Sequence, residues 1–318
     1  MNDYKVLIGD CINQMKTLDD NSINCCVTSP PYYGLRDYGS DGQLGLEDSP
    51  EEFVKNLVMV FREVKRLLKD DGTLWLNLGD SYAGNNSRAS KGRAGLGEPR
   101  EKVVSRTGEG LKTKDLIGIP WRVALALQAD GWYLRQDIIW HKPNAMPESV
   151  KDRCTKAHEY IFLLSKSKNY YFDNESIKEP CNEESVNDFL NRKALNNKGG
   201  ESGTYGEIRK DLCRDRSAYM PDNFKKNKRS VWTVTTKPYK GAHFATFPPD
   251  LIEPCILAGC PKGGVVLDPF GGSGTTAGVA IKNDRKAILC ELSNEYAQLI
   301  PERVRSIVGL QNLELFDD

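Results

Sequence analysis

The sequence lacks any long, uninterrupted apolar run. Its longest apolar stretches, such as residues 117–127 and 264–267, are short or broken by polar side chains. A membrane-spanning helix needs about 20 apolar residues. The first ten residues contain no basic segment followed by an apolar core and a small-residue cleavage site, so no secretory signal is expected. We therefore expect a cytoplasmic protein without a membrane segment.

The cysteines form no CxxC pair and no regular framework, although the chain contains nine of them. Closely spaced cysteine pairs are typical of zinc sites and of small disulfide-rich domains, so neither is predicted. We expect reduced thiols and no metal site. The sequence also lacks the GxxxxGK[ST] lysine, which disfavours an ATPase loop that cradles phosphates.

The chain has no net charge, because 44 Lys and Arg residues balance 44 Asp and Glu residues. A polyanion-binding protein usually has a basic excess, but here the basic residues concentrate in two stretches, 87–114 and 209–240. Either stretch could contact phosphates, and ordinary solvated loops are the alternative. The candidate phosphate contacts are Arg88, Arg93, Arg209, Arg214, Arg216, Lys225, Lys226, Lys228 and Arg229.

The hydrophobic pattern predicts strands that alternate with helices, and 39% hydrophobic residues in 318 suffice for one large or two modest cores. This alternation indicates an α/β sheet covered on both faces. Residues 1–168 and 241–318 are expected to form the α/β part, with a long mobile loop at 83–115 and a separate segment at 169–240. Strands are predicted at 4–8, 22–28, 72–78, 132–140, 159–165, 264–268 and 286–291, and helices at 50–69, 120–128, 249–258 and 275–282.

The first motif is VVLDPFGGSGTT, residues 265–276. An apolar strand runs into Asp268, and a loop of small residues then opens onto a helix, so a ligand can approach the backbone at the carboxyl end of the strand. Glu291 ends the next strand, a position from which an acid can bind ribose hydroxyls. The glycine loop alone is compatible with NAD, a nucleotide or S-adenosylmethionine, and a plain strand-to-helix turn is the structural alternative.

The second motif is TSPPY, residues 28–32, which also follows an apolar strand. The amino nitrogen of cytosine or adenine is a poor nucleophile, because its lone pair is delocalised into the ring. Acceptors for both N–H bonds would return density to that lone pair, and Ser29 with the Pro30 carbonyl can supply them. Tyr32 offers a flat face to an extruded base. A Pro-Pro turn closing the strand is the alternative.

Together the two motifs resemble the DNA amino-methyltransferase family that modifies cytosine N4 or adenine N6. Their order resembles its beta class, in which the catalytic motif precedes the cofactor motif. Weaker matches are Gly9-Asp10-Cys11, WHKPN at 140–144, HEY at 158–160 and HFATFP at 243–248. The resemblance implies a Rossmann-like S-adenosylmethionine-dependent methyltransferase fold with a mostly parallel, seven-stranded, permuted sheet. Residues 1–168 would then be catalytic, 241–318 cofactor-binding, and 169–240 the target-recognition segment.

The resemblance also assigns roles to residues. The catalytic set is Ser29, Pro30, Pro31 and Tyr32. The S-adenosylmethionine set is Asp10, Cys11, His243, Phe247, Asp268, Phe270, Gly271, Gly272, Ser273, Gly274, Thr275 and Glu291. Asp10 could instead cap the following turn, Cys11 could be a small core residue, and His158 and Glu159 are interpreted as structural contacts without chemistry. The basic residues above become DNA contacts.

The resemblance favours cytosine N4 as the target, because serine at the first motif position is more often associated with it, and adenine N6 is the alternative. It implies double-stranded DNA as a partner, and it leaves a cognate restriction endonuclease and a homodimer open. A dinucleotide-dependent oxidoreductase would use the same glycine loop but leaves TSPPY unexplained. An RNA or protein amino-methyltransferase shares the chemistry, and a DNA-binding protein without catalysis is disfavoured because both motifs are intact.

Overall fold

The computed structural model describes residues 3–35, 37, 39, 42–84, 110–182, 186–187, 224–236 and 247–309. The strands are β1 (Tyr4–Ile8), β2 (Ile23–Thr28), β3 (Leu68–Leu78), β4 (Tyr133–His141), β5 (His158–Ser165), β6 (Glu179–Pro180), β7 (Lys225–Lys226), β8 (Val231–Thr233), β9 (Val265–Asp268) and β10 (Lys286–Glu291). The α-helices include α1 (Cys11–Met15), α2 (Pro50–Leu67), α3 (Ile119–Ala129), α4 (Pro249–Gly259), α5 (Thr275–Lys282), α6 (Asn294–Ala297) and α7 (Ile300–Val308).

Eight of these strands form the main sheet, in the order β1-β10-β9-β2-β3-β5-β4-β8. Neighbouring strands pair in parallel except where β5 meets β3 and β4. The mostly parallel α/β sheet is therefore confirmed. The count differs from the implied seven, because the three-residue β8 adds a strand beside β4. Its buried Trp232 sits next to Trp140, which donates a hydrogen bond to the Val234 carbonyl at 2.8 Å.

Helix α2 shows why the local sequence folds as predicted. Ser49 caps the helix by accepting a hydrogen bond from the Glu52 amide at 3.1 Å, and Pro50 occupies the first turn. One face is apolar and buried, including Phe53, Leu57 and Phe61. Burial of this face against the sheet is what holds the helix in place.

Strand direction decides which residues can meet at the site. All the parallel strands of the main sheet end at the same edge, and the antiparallel β5 begins there. His158 and Glu159 therefore lie at the same edge as the residues that follow β1, β2, β9 and β10. Among the described residues, no helix is both long and apolar enough to cross a membrane.

The chain divides into two compact units, residues 1–173 with 230–318, and residues 174–229. The smaller unit contains the antiparallel pair β6 and β7, and the Cys181 amide donates to the Phe224 carbonyl at 2.7 Å. It falls inside the predicted recognition segment 169–240, whose role stays a prediction. Most of the predicted loop 83–115 lies outside the described residues.

Candidate active site

A cavity of about 350 Å³ opens at the edge of the sheet where the parallel strands end. Its walls come from the residues that follow β1, β2, β9 and β10, from the start of β5, and from short neighbouring segments. The lining residues are Gly9, Asp10, Cys11, Ser29, Pro30, Pro31, Tyr32, Leu35, Gly42, Gln43, Leu44, Glu159, Phe247, Asp268, Pro269, Phe270, Gly271, Gly272, Ser273, Thr275, Cys290, Glu291, Leu292, Ser293 and Tyr296. The TSPPY and glycine-loop motifs, more than 230 positions apart in sequence, thus share one cavity.

Asp268 joins the two motifs directly. Strands β2 and β9 are neighbours, and Thr28, the last residue of β2, donates a 2.6 Å hydrogen bond to Asp268 Oδ1. The same oxygen accepts from the Phe270 amide at 3.0 Å, and Oδ2 accepts from the Thr276 hydroxyl at 2.6 Å. Burial raises the pKa of the Asp268 carboxyl, and these hydrogen bonds oppose the shift. Asp268 therefore holds the start of the glycine loop against the TSPPY strand.

The glycine loop packs closely against its neighbours because its glycines have no side chains. A Cβ at Gly271 would lie 2.9 Å from the Leu289 Cβ, so the loop could not approach β10 with any larger residue. Gly274 has a φ of +87° and caps α5, where a Cβ would lie 2.7 Å from Ile300 Cγ2. Gly274 is not among the residues that line the cavity, and its contact with a cofactor stays a prediction.

Glu291 ties the glycine loop to the end of β10. Its Oε2 accepts a hydrogen bond from the Gly272 amide at 2.7 Å, and its Oε1 accepts from the Ser293 amide at 2.9 Å. Burial raises the pKa of the Glu291 carboxyl, while the backbone hydrogen bonds from Ser293 and Gly272 lower it. Each carboxylate oxygen retains a second lone pair that can accept a hydroxyl from the cavity.

Ser273 lines the cavity, and its hydroxyl is buried in the glycine loop. Only 3% of the residue is exposed, and its Oγ has no hydrogen-bond partner among the described residues. Buried polar atoms in native proteins are almost always paired. The Ser273 hydroxyl is therefore an unsatisfied polar group beside the cavity in the described part of the chain.

The residues after β1 form another wall of the cavity. Asp10 caps α1, since its Oδ1 accepts a 2.9 Å hydrogen bond from the Asn13 amide, which is the alternative that the sequence left open. Burial raises the pKa of the Cys11 thiol to about 12, and that of the Cys290 thiol to about 12 as well. Both sulfurs are protonated at neutral pH and behave as small apolar groups.

Tyr32 contacts polar side chains from β3 and β5 and the Ser29 hydroxyl of its own loop. Its hydroxyl donates to Glu159 Oε2 at 2.7 Å and lies 3.1 Å from Asn77 Oδ1, and the Ser29 hydroxyl reaches Tyr32 Oη at 3.4 Å. A Cβ at Gly79 would lie only 2.5 Å from Tyr32 Cε2, so the ring rests against that glycine. The sequence placed Tyr32 correctly in the cavity but gave no sign of this anchoring.

Glu159 is the residue of this site that the sequence analysis did not assign to chemistry. It lines the cavity and forms an ion pair with Lys142, which follows β4. The signal that could have found it is an acidic residue at the start of a strand. That signal is useful only once the strand is known to be antiparallel, because only then does its first residue lie at this edge.

Only some of the other predicted cofactor and DNA contacts fall within the described residues. Phe247 lines the cavity, whereas His243, Arg88, Arg93, Arg209, Arg214 and Arg216 lie outside the described residues. Lys225 and Lys226 form β7. Lys228 is ion-paired with Glu179 at 2.8 Å, and its side chain is only 18% exposed. Within the described ranges, no group of three His, Cys, Asp or Glu residues could hold a metal ion.

The chain is similar to known DNA methyltransferases over most of its length. A family model described as DNA methylase, of the N6 and N4 methyltransferases, matches residues 23–302. The type II methyltransferase M.SmaI of Serratia marcescens is 48% identical over 306 residues, which cover 94% of this chain and 90% of that protein. M.Cfr9I of Citrobacter freundii is 45% identical over 312 residues, which cover 96% and 89%.

Solved structures share the fold. TTHA0409 of Thermus thermophilus, in complex with S-adenosyl-L-methionine, has a TM-score of 0.57 and 24% identity, with 96% of this chain and 97% of that chain covered. The cytosine-N4-specific PvuII DNA methyltransferase has a TM-score of 0.59 and 19% identity, with 96% and 93% covered. At these identities the likeness concerns the fold alone. It agrees with the Rossmann-like α/β fold expected from the sequence.

Proposed function

Because this chain belongs to the DNA methylase family of N6 and N4 methyltransferases, we propose that it methylates the N4 amino group of a cytosine flipped out of duplex DNA. The methyl donor is S-adenosylmethionine. The observation that carries the proposal is the shared cavity, in which the TSPPY residues face the glycine loop and Thr28 is bonded to Asp268. The family match favours this activity over the oxidoreductase alternative.

The cavity wall formed by the glycine loop fits S-adenosylmethionine. The unpartnered Ser273 hydroxyl is available to a polar group of the ligand, and the side-chain-free backbone at Gly271 and Gly272 allows a close approach. Glu291 would accept the ribose hydroxyls, while Asp10 and Cys11 would contact the adenine. The methionine part would contact Phe270 and Thr275, with Phe247 and His243 closing over it.

When bound, S-adenosylmethionine supplies an electrophilic methyl group on a positively charged sulfur. The protein's task is to hold a weak nucleophile in line with that methyl group. Two reactants held in a reactive geometry avoid the entropic cost of a bimolecular encounter, which can account for about 7–11 kcal/mol of a barrier. Positioning by the two motifs would therefore supply most of the rate acceleration.

The TSPPY residues would form the base pocket. Ser29 Oγ and the Pro30 carbonyl would accept the two N–H bonds of the amino group, which favours a pyramidal nitrogen with an available lone pair. Pro31 has no amide hydrogen and keeps the turn rigid, and the Tyr32 ring would stack on the base. No covalent enzyme intermediate is needed, because the amino nitrogen attacks the methyl carbon directly.

Ser29 supports cytosine N4 as the target, because serine at this motif position is more often associated with that base. A hydroxyl can also accept a hydrogen bond from adenine N6, so adenine is the second candidate. The type II methyltransferase designation of the relatives M.SmaI and M.Cfr9I supports a cognate restriction endonuclease as a partner. We further propose residues 169–240 as the target-recognition segment, while a homodimer stays a prediction.

The test is incubation of the purified protein with labelled S-adenosylmethionine and unmethylated, PCR-amplified duplex DNA several kilobases long. Nucleoside mass spectrometry then identifies the product. We expect N4-methylcytosine, whereas N6-methyladenine would replace the target base. No methylated nucleoside, together with a melting temperature raised by NAD and not by S-adenosylmethionine, would contradict the proposal.

A further inference from the structure

A chain of hydrogen bonds leads from the cavity wall to a partly buried ion pair. The Ser29 hydroxyl donates to Tyr32 Oη at 3.4 Å, the Tyr32 hydroxyl donates to Glu159 Oε2 at 2.7 Å, and Glu159 Oε1 is paired with the Lys142 ammonium. The contact between Ser29 and Tyr32 is the longer of the two measured hydrogen bonds. These residues follow or begin three different strands of the sheet, so the fold itself brings them together.

The direction of the chain follows from the donors and acceptors. A tyrosine has one hydroxyl hydrogen, and an ionised carboxylate can only accept. The 2.7 Å contact therefore directs the Tyr32 hydrogen towards Glu159 and leaves its oxygen lone pairs for Ser29. Asn77, whose Nδ2 donates to the Tyr160 carbonyl at 3.0 Å, presents its Oδ1 3.1 Å from the Tyr32 hydroxyl as a competing acceptor, and the shorter contact favours Glu159. The lone pairs of Ser29 remain directed at whatever amino group enters the cavity.

The acceptor at the end of the chain is largely shielded from solvent. The side chains of Glu159 and Lys142 are only 15% and 19% exposed, and the Lys142 ammonium lies 4.1 Å from the centre of the Trp140 ring. Desolvating two charges is costly. Stacking on a base requires only the face of the Tyr32 ring, which a phenylalanine would also provide. The Tyr32 hydroxyl and the partly buried Glu159 carboxylate therefore require a separate explanation.

Methyl transfer to an amino group releases a proton. The nitrogen uses its lone pair to form the N–C bond and carries a positive charge until one N–H bond breaks. Such a nitrogen is strongly acidic, because deprotonation restores conjugation with the ring. Even a weakly basic carboxylate can take up this proton if a path connects the two.

We propose that Ser29, Tyr32 and Glu159 form a relay that carries this proton from the methylated amino group to the Glu159 carboxylate. This inference rests on the proposed function. The N–C bond forms as the C–S bond breaks, and its electrons stay on sulfur as a neutral thioether. The amino proton passes to Ser29 Oγ, the serine proton to Tyr32 Oη, and the tyrosine proton to Glu159 Oε2. The positive charge of the sulfonium and the negative charge of the carboxylate are thereby both neutralised.

The relay makes Tyr32→Phe and Glu159→Gln the informative variants. Phenylalanine keeps the stacking face and removes only the middle hydroxyl, and glutamine keeps the size of Glu159 but cannot take up a proton at its amide oxygen. We expect each variant to lower the single-turnover methylation rate by about 100-fold or more, in the range of general acid–base catalysis. Affinity for S-adenosylmethionine and for DNA should stay within about 2-fold.

Two further measurements separate a relay from a merely structural role. Because both variants interrupt one path, the double variant should lose no more than the worse single variant. The wild-type rate should fall in D₂O, and this solvent isotope effect should shrink in both single variants. Tyr160→Phe is the matched control, because this neighbour of Glu159 packs its ring against Trp121 and Phe162 and should keep the wild-type rate.

Wild-type speed in Tyr32→Phe would overturn the relay even if Glu159→Gln failed to fold. Losses that multiply in the double variant, or an unchanged solvent isotope effect, would also overturn it. If the wild-type protein itself produced no methylated nucleoside, the proposed function would be at fault instead. The two failures are thus distinguishable in the same assay.

Discussion

A single substitution at Ser29 tests the proposed chemistry most directly. Its hydroxyl contacts Tyr32 and lines the cavity, while the neighbouring Thr28 carries the structural bond to Asp268. Loss of the Ser29 oxygen therefore leaves the connection between the two motifs intact. The consequence should appear in catalysis rather than in folding.

Ser29→Ala is expected to reduce the single-turnover methylation rate by about 100-fold, the size of effect seen when one preorganised polar group is removed from a reacting centre. Affinity for S-adenosylmethionine, measured by calorimetry, should be unchanged. Ser22→Ala is the matched control, since Ser22 precedes the same strand at its opposite end and donates to the Asp19 carbonyl at 2.6 Å. Equal rates for Ser29→Ala and Ser22→Ala would remove Ser29 from the mechanism.

Asp268 should make the stability of the protein depend on pH. Its pKa is raised above the ordinary value of 3.8 by burial, so the folded state binds a proton more tightly than the unfolded state does. The stabilisation from this proton is complete below the ordinary pKa and is lost as pH rises through the higher folded-state pKa. The wild-type protein should therefore lose stability relative to Asp268→Asn as pH increases from about 4.

Urea unfolding of the wild type and of Asp268→Asn across a pH series measures this difference. The asparagine keeps an oxygen acceptor for Thr28 and Phe270, and its amide can donate to Thr276, so the hydrogen-bonded loop can persist. Glu291 also has a raised pKa, in part because of the charge on Asp268, so the loss of this coupling in Asp268→Asn adds to the difference in the same direction. A free-energy difference that stays constant with pH would contradict the prediction.

At the scale of elements, the sequence predicted the helices and strands whose bounds depend on a local pattern of residues. The bounds of β1, α5 and β10 agree with the predicted 4–8, 275–282 and 286–291, because each segment has clear apolar periodicity and turn residues at its ends. Strand β8 is only three residues long and α1 only five, too short for a period to be recognised. Their conformation is fixed by neighbours, β4 for the one and the Asp10 cap for the other.

The site was predictable to the extent that its residues follow strands. TSPPY and the glycine loop were placed together because both come after apolar strands of one parallel sheet. Glu159 and Lys142 were not placed, because their meeting depends on the order of β3, β5 and β4 and on the reversed direction of β5. Strand order is a long-range property that a single sequence does not display.

The packing of α5 against α7 fixes the helix that starts at the glycine loop. A Cβ at Gly278 would lie 2.8 Å from Ile307 Cδ1 and 2.9 Å from Ile307 Cβ. Gly278→Ala gains helix propensity, but it overpacks this contact and should lower the free energy of unfolding by about 1–3 kcal/mol. Urea unfolding of the full chain measures the change.

A double-mutant cycle provides the control for this contact. Ile307→Ala removes the side-chain atoms beyond Cβ and should relieve part of the clash, so the two substitutions together should cost less than the sum of their separate effects. Strict additivity of the two free energies would show that α5 and α7 do not press on each other at Gly278.

At the scale of the whole molecule, the net charge is zero, so DNA binding depends on where the basic residues lie. Within the smaller unit, Lys225 and Lys226 lie on β7, and Lys228 is held by Glu179. A lysine that is already ion-paired gains less from a phosphate, because it must give up or share its carboxylate partner. Lys225 and Lys226 are thus the stronger candidates for DNA contacts.

Neutralising Lys225, Lys226, Lys228 and Arg229 together is expected to flatten the dependence of DNA affinity on salt. Each lost phosphate contact lowers the slope of log K against log salt by about 0.9 for duplex DNA. Lys225→Ala with Lys226→Ala should account for most of the change, and Lys228→Ala alone for little.

The matched control is Lys262→Ala with Lys282→Ala, whose exposed ammonium groups pair with Asp284 and Glu253. Lys262 lies just before β9, at the sheet edge opposite the cavity. Because counterion release follows the number of phosphates contacted and not the net charge of the protein, the two pairs should differ although each removes two charges. Identical slopes for both pairs, measured by fluorescence anisotropy between about 50 and 200 mM salt, would show that the β7 lysines face solvent in the complex.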